Sequence, residues 1–503
     1  MRRRTPVVVG VGEVSERLDE PGYRRRSPVD LAADAAREAL VDTGLPAGIL
    51  AAVIDTVAGV PQFEISIPGA VAPLGRSDNY PRSVAARIGA RPRRAILAAA
   101  GGQGPQQLVN EFAAAIAAGD AEVVLLFGGE AMSTVARHAA AGDRPDWTEH
   151  AEGDLEDRGY GLRGVRTAHL AAHGVVGAPV QYAMIDNARR AKLGLSRAQY
   201  ATAIGRLFAP FTRVAAAHPH AAAPVERTAA ELVTPTEANR SIADPYTRYV
   251  VAREKVNQGA AVLMMSADAA RRFGVPPGKQ VFLAGHADLR ERELLERADL
   301  STSPAAVMAV GHALEVAGTT MDELATLDLY SCFPAPVFTI ADAFRLSPED
   351  PRGLTVTGGL PFFGGPGNNY SMHAIAETVR RARRAPGSYG LVGANGGVMS
   401  TYSAGVYTTT PQDWTPDESA KLQAEVDSWP APGHALEAGG PAVIESWTVR
   451  HDRDGARTGI VIGRLDSDGR RFVANADPGF LAEGEPIGQR VHALREGGVN
   501  RVR

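Results

Sequence analysis

Apolar positions along this chain follow two spacings, and the same succession of elements occurs twice. After Ser27-Pro28 the residues Leu31, Ala35, Ala39 and Leu40 recur at helical spacing until Thr43-Gly44, and an apolar run at Val53 to Val57 reads as a strand. Far downstream, Ser303-Pro304 opens a second helical pattern through Val307, Val310 and Leu314, which stops at Ala317-Gly318 before a strand at Leu327 to Leu329. Proline in the first turn and glycine just past the last are start and stop signals for helices.

The echo extends further. Ala100-Gly-Gly-Gln-Gly104 leads into an alanine-rich apolar helix, Leu108 to Ala118, then a buried strand, Val123 to Phe127, that ends at Gly128-Gly129. In the second copy Gly364-Gly-Pro-Gly367 leads into a helix near His373, then a strand at Leu391-Val392, then Gly396-Gly397. Two such copies imply two α/β halves with mostly parallel sheets. The predicted division is a first half over 1–134, a cap-like insertion over 135–255, a second half over 256–410, a linker over 411–440 and a terminal module over 441–503. The insertion carries helical patches at Ala183 to Leu193 and Arg197 to Leu207. The terminal module has short strands at Ser446 to Arg450, Gly459 to Gly463 and Arg471 to Ala474, separated by Asp-Gly turns, which predicts a small β-barrel.

A chain of 503 residues exceeds one ordinary core. No apolar stretch reaches the about 20 residues that a membrane helix needs. The Met-Arg-Arg-Arg start passes directly into Val7-Val8-Val9, without the apolar core of a signal peptide, so a cytoplasmic location is expected. A formal charge of −4 disfavours nucleic acid as a partner. Arginine runs at Arg24 to Arg26 and Arg380 to Arg384 read as solvated surface, or as contacts for the phosphates of a nucleotide-bearing substrate.

The chemistry-bearing residues are few. The single cysteine, Cys332, lies in Tyr330-Ser-Cys-Phe-Pro334 and has no partner for an internal disulfide. The glycine-rich segment Gly358 to Gly367 precedes Asn369 and His373. His218-Pro-His220 lacks a cysteine or carboxylate at ligand spacing, so no metal is expected.

Gly101-Gly-Gln-Gly-Pro-Gln106, Phe127-Gly-Gly-Glu-Ala-Met132, Val256-Asn-Gln-Gly-Ala-Ala261, Tyr330-Ser-Cys-Phe-Pro334, Gly358 to Gly367 and Ala394-Asn-Gly-Gly397 together resemble the thiolase superfamily. Within it the resemblance is to thiolase-like proteins type 1, which carry an additional C-terminal domain. It implies a duplicated five-layered αβαβα fold, a loop domain over a site for CoA thioesters, a C-terminal barrel similar to an OB fold, and no metal or redox cofactor. It also implies dimers through the sheet edges of the core, unless the barrel covers that surface.

The family's catalytic residues are mostly replaced. The nucleophilic cysteine falls on Gly101, the Gly-His-Pro histidine on Gly365, and the second cysteine on Ala394. Of the usual set Cys332 remains, matching the cysteine of the His-Asp-Cys-Phe motif in sterol-carrier-protein-linked thiolases. The candidate site is therefore Cys332, His373 and Tyr330 as catalytic groups. Gly101, Gly102, Gly396, Gly397 and Asn395 are oxyanion or loop positions, and Gly364, Gly365 and Asn369 line the substrate. Two functions follow. One is a thiolase-like acyltransferase on acyl-CoA thioesters with a non-standard site, the leading expectation. The other is a catalytically silent module that binds acyl-CoA and docks a protein partner through its barrel.

Overall fold

The computed structural model describes residues 4–161 and 167–503, so the basic start Met1–Arg3 lies outside the described residues. The duplication is visible strand by strand. Strand Pro6–Ser15, helix Pro28–Asp42, strand Thr56–Gly59, helix Gly104–Ala118, strand Val123–Ala131 and strand Asn257–Ser266 form the first half. Strand Val281–Arg290, helix Pro304–Ala317, strand Leu324–Asp328, helix Tyr370–Arg384, strand Tyr389–Gly396 and strand Thr401–Thr408 repeat them. The first strand after Thr43-Gly44 begins at Thr56 rather than Val53, because a short helix, Ala47–Ala51, occupies the approach to it.

The two half-sheets meet where Val7 and Val8 pair antiparallel with Phe282 and Val281. Helices Gly104–Ala118 and Tyr370–Arg384 pack on each other, and each touches strands of both halves, which makes them the central layer. Both are buried through most of their length, Gly104–Ala118 as an apolar helix and Tyr370–Arg384 until its arginine-bearing last turns. The outer helices lie on the far faces. A Cβ at Gly12 would collide with the carbonyl of Ala35, and one at Gly285 with that of Ala313, so the same helix-on-strand approach is built twice on an absent side chain.

The expectation of mostly parallel sheets is corrected. Thr56–Gly59 pairs parallel with its neighbours, and Leu324–Asp328 pairs parallel with Tyr389–Gly396. The middle of the sheet is antiparallel: Val123–Ala131 with Asn257–Ser266, that strand with Pro6–Ser15, and Thr401–Thr408 with both its neighbours. The last strand of each half returns through a turn or the insertion rather than a crossover helix, which permits the reversed direction.

Strands Gly440–His451, Arg457–Leu465, Arg471–Ala476, Val499–Val502 and Arg490–Glu496 close on one another as a five-stranded barrel. The insertion's helix Ala178–Lys192 packs on the strand Gly440–His451, and Ala243 from the insertion pairs with Arg450. Asn187 Nδ2 donates to the Trp447 carbonyl at 2.9 Å, and Ser446 Oγ to the Met184 carbonyl at 2.6 Å. The barrel is thus anchored to the insertion. The edge strand Arg94–Leu97 is instead covered by Glu156–Asp157 of the chain itself, with Ile96 opposite Glu156 and Leu97 opposite Asp157. Among the described residues no helix is long and apolar enough to cross a membrane.

Candidate functional site

Helix Gly104–Ala118 begins beneath the glycine pair where the resemblance places a nucleophile. That position is filled by other side chains. A Cβ at Gly102 would run into the Tyr330 hydroxyl and the Asn395 carbonyl. One at Gly101, which has φ +151°, would run into the Gln103 amide, as would one at Gly396. Ser371 Oγ donates to the Gly102 carbonyl at 2.9 Å and holds this turn against the second central helix. Behind Gln103 lies a cleft of about 230 Å³ whose lining includes Asp288, Thr401 and Gln423. Burial pushes the Asp288 carboxyl up to about 6.

Cys332 sits between strand Leu324–Asp328 and helix Pro334–Phe344, buried. Asn395 Nδ2 lies 3.7 Å from its sulfur and donates to the Tyr182 hydroxyl at 2.7 Å. That hydroxyl donates to the Gly397 carbonyl at 3.1 Å and accepts from the Met399 N–H at 3.1 Å. The Tyr182 ring stacks on Phe333, centroids 4.5 Å apart. Burial pushes the thiol up to about 12, more than Tyr182, the Phe333 N–H and Asn395 pull it down. A thiol so raised stays protonated at neutral pH. Tyr330 is also pushed well above the ordinary phenol, by burial and by Cys332 beside it, and its ring meets Tyr370 edge-on at 5.5 Å.

The structure does not bring His373 to the cysteine. Its Nδ1 lies 2.6 Å from Glu13 Oε1, and both side chains are fully buried. Its Nε2 has no hydrogen-bond partner among the described residues, and its ring meets Phe363 at 5.0 Å. Helical geometry sends residue 373 into the central layer, toward strand Pro6–Ser15, while Cys332 faces the insertion. Arg380 pairs with Glu13 and, at 2.7 Å, with Glu377. Glu13 is held down to about 2: its burial is outweighed by His373, Arg380 and His220 around it. His218, Glu13 and Glu377 have ligand atoms within 4.8 Å of one another, but the Arg380 guanidinium already supplies a cation between the two carboxylates.

The glycine loop wraps the cysteine from the other side. Gly365 N–H donates to the Arg253 carbonyl at 2.9 Å, Arg253 N–H to the Leu360 carbonyl at 3.1 Å, and Ala252 N–H to the Cys332 carbonyl at 3.0 Å. Gly364 adopts φ +129° against the Gln258 amide. Asn369 ends the loop as the residue preceding helix Tyr370–Arg384; its amide is buried, packs on Gly128 and has no partner at either atom among the described residues. Asp328 anchors the loop from below, accepting from the Val356 N–H and Thr355 Oγ1, each at 2.9 Å, and from Tyr370 at 3.0 Å.

Sequence reasoning missed a group of arginines near this loop. Arg227 and Arg248 lie near enough to the half-buried Arg253 to repel it, and none of the three makes an ion pair among the described residues. Burial lowers the Arg253 pKa first, and repulsion from Arg248 and Arg227 lowers it further. Arg227 lies over the Tyr249 ring at 4.1 Å. Within the arginine runs singled out in the sequence, Arg26 pairs with Glu16 and Asp34, Arg25 with Asp143, Arg380 with Glu13 and Arg383 with Asp42, while Arg24, Arg381 and Arg384 make no ion pair among the described residues. Glu130 was also missed. Burial, with Glu64 and Glu254 nearby, pushes its carboxyl up to about 8, and it accepts the Phe63 N–H at 2.7 Å beside Gly367.

Fold and site together define a thiolase-fold protein with an appended barrel, and the comparisons agree. A crystal structure of a monomeric SCP2-thiolase like protein type 1 from Mycobacterium smegmatis is 49% identical, covers 100% of this chain and 99% of that one, and superposes with a TM-score of 0.86. This chain belongs to that family. Residues 421–503 match the thiolase-like protein type 1 additional C-terminal domain. Human mitochondrial 3-ketoacyl-CoA thiolase shares the fold at 18% identity, covering 82% of this chain and 100% of that one with a TM-score of 0.57. An Ltp2-ChsH2(DUF35) aldolase does so at 19%, covering 81% and 98%, with a TM-score of 0.58. No curated protein sequence matches.

Proposed function

We propose that this protein binds a CoA thioester, with the acyl end toward Cys332 and the nucleotide end on Arg227, Arg248 and Arg253. The observation that carries this reading is the unpaired arginine cluster on the segment whose Ala252 N–H holds the Cys332 carbonyl. Guanidinium groups without carboxylate partners are costly to crowd together and are relieved by a phosphate, which each can meet with two hydrogen bonds. Such a ligand carries both a phosphorylated nucleotide and a thioester.

Covalent thiolase chemistry is not favoured by the same geometry. It requires a thiolate nucleophile and a base for the Cα–H. Gln103 fills the space of a side chain at Gly101 and Tyr330 that at the adjoining Gly102, and the remaining thiol is held strongly protonated without a histidine at hydrogen-bond distance. The reading is therefore binding without acyl-enzyme formation. A second reading, acyl transfer through Cys332, is favoured by one contact, the Asn395 amide directed at its sulfur. The Ltp2-ChsH2(DUF35) aldolase joins a thiolase-fold chain to a second protein, and a similar role as one subunit of a pair fits a silent thioester carrier. A cytoplasmic setting, where CoA thioesters and reduced thiols coexist, suits either reading.

Calorimetric titration with CoA and with dephospho-CoA tests the site. Saturable CoA binding that weakens at least tenfold in Arg253→Met supports it. Equal binding by wild type and Arg253→Met would remove the arginine cluster from the account.

A further inference from the structure

Arg471 is 1% exposed, yet it leaves the barrel to which it belongs. Its Nε donates to Glu445 Oε2 on the barrel strand Gly440–His451 at 2.6 Å, whereas Nη1 donates to the backbone carbonyls of Leu295 at 3.0 Å and Arg297 at 2.5 Å. Those carbonyls belong to the second thiolase half, just after strand Val281–Arg290. Arg297 is itself buried, donating through Nε to the Arg292 carbonyl at 2.8 Å and through Nη2 to the Val398 carbonyl at 2.5 Å. Val398 lies in the turn that follows Gly396-Gly397. Tyr182 of the insertion grips the same turn at Gly397 and Met399, and Asn395 at its start reaches the Cys332 sulfur. Met399 adopts φ +54°, a left-handed conformation that a non-glycine residue keeps only when its surroundings impose it.

We propose that Arg471 of the C-terminal barrel is a positioning residue for the Cys332 pocket, acting through Arg297 on the 396–400 turn. The barrel then braces the pocket from behind rather than serving as a free docking module. If Arg471 is removed, the Leu295 and Arg297 carbonyls lose a buried donor, the Arg297 backbone shifts, and Val398 is held from one side only. Glu445 remains paired with Arg464, at 2.7 Å, so the barrel itself keeps a partner for its carboxylate. The proposal rests on geometry alone and does not depend on the CoA reading.

Because Cys332 is the only cysteine, it reports directly on the pocket. The test is the rate of iodoacetamide labelling of Cys332 in the full chain from pH 6 to 10, followed by intact mass. Arg471→Met and Arg471→Lys are compared with Phe472→Leu, a substitution at the adjacent buried barrel residue, at denaturant concentrations that match global stability. Labelling at least tenfold faster in Arg471→Met, with its pH profile moved toward lower pH and partly restored in Arg471→Lys, is the expected result. Labelling no faster than in Phe472→Leu would overturn the proposal. Should Arg471→Met not fold, the same criterion applies to Arg471→Lys against Phe472→Leu.

Discussion

The Tyr330 hydroxyl occupies the space that a side chain at Gly102 would need. Gly102 adjoins Gly101, the position where the resemblance places the nucleophile, so the hydroxyl crowds the same turn. A thiol placed at Gly102 overfills that turn, and overpacking a rigid core costs about 1–3 kcal/mol. Gly102→Cys is expected to lose that much stability in urea denaturation. Combining it with Tyr330→Ala is expected to return part of the loss, as a coupling energy between contacting positions. Strict additivity of the two changes would mean that they do not share the space.

Glu13 is fully buried between His373 and Arg380, and removing its charge takes a carboxylate from both, although Arg380 keeps Glu377. Losses of about 1–3 kcal/mol are typical when a buried polar group loses its hydrogen-bond partner. Glu13→Gln should lower stability by that order at pH 7. The folded carboxyl titrates at about 2 against an ordinary 4.5, so its contribution is present above the ordinary value and is lost as pH falls through 2. Wild type and Glu13→Gln should therefore converge in thermal unfolding as the pH is lowered from 5 toward 2.

Glu130 has the opposite sign. Its folded carboxyl titrates at about 8, above the ordinary 4.5, so the folded state holds a proton that the unfolded chain releases. Stability from this group is present below 4.5 and declines as pH rises through 8. Glu130→Gln keeps an oxygen for the Phe63 N–H and removes the titration. It should match wild type near pH 5 and exceed it in Tm at pH 8.5. An unchanged difference between the two pH values would place the carboxyl's titration elsewhere.

The edge strand Arg94–Leu97 is paired with Glu156–Asp157, and the Arg158 N–H donates to the Leu97 carbonyl at 3.0 Å. The outermost strand there is then only two residues long, too short a ladder to pair with a second copy. The protein should run as a monomer in light scattering at micromolar concentration. The sequence left the oligomeric state open, and the segment that covers this edge is exposed, charged and only two residues long.

The duplicated fold was legible because its punctuation is local: Ser-Pro before a helix, Gly after it, and Gly-Gly at the strand ends. Strand direction was not. Asn257–Ser266 is buried at every position and carries no alternation from which a partner or its direction could be read. The barrel was legible from Asp-Gly turns, but Arg471 looked like any basic residue in a strand. The site was half legible. Cys332, Tyr330, Asn395 and the glycine loops converge as their motifs suggested, whereas Glu13 and His373 meet across 360 residues. The arginine cluster draws on irregular segments without periodicity, and only folding places those side chains together.

The measurement that bears most directly on the account is intact-mass analysis of the protein after incubation with acetyl-CoA and acetoacetyl-CoA, with released CoA measured alongside and Cys332→Ala as control. The account predicts saturable CoA binding, no acyl-sized mass gain and no CoA release above the control. An acyl adduct that disappears in Cys332→Ala would contradict it and make Cys332 the nucleophile of an acyltransferase.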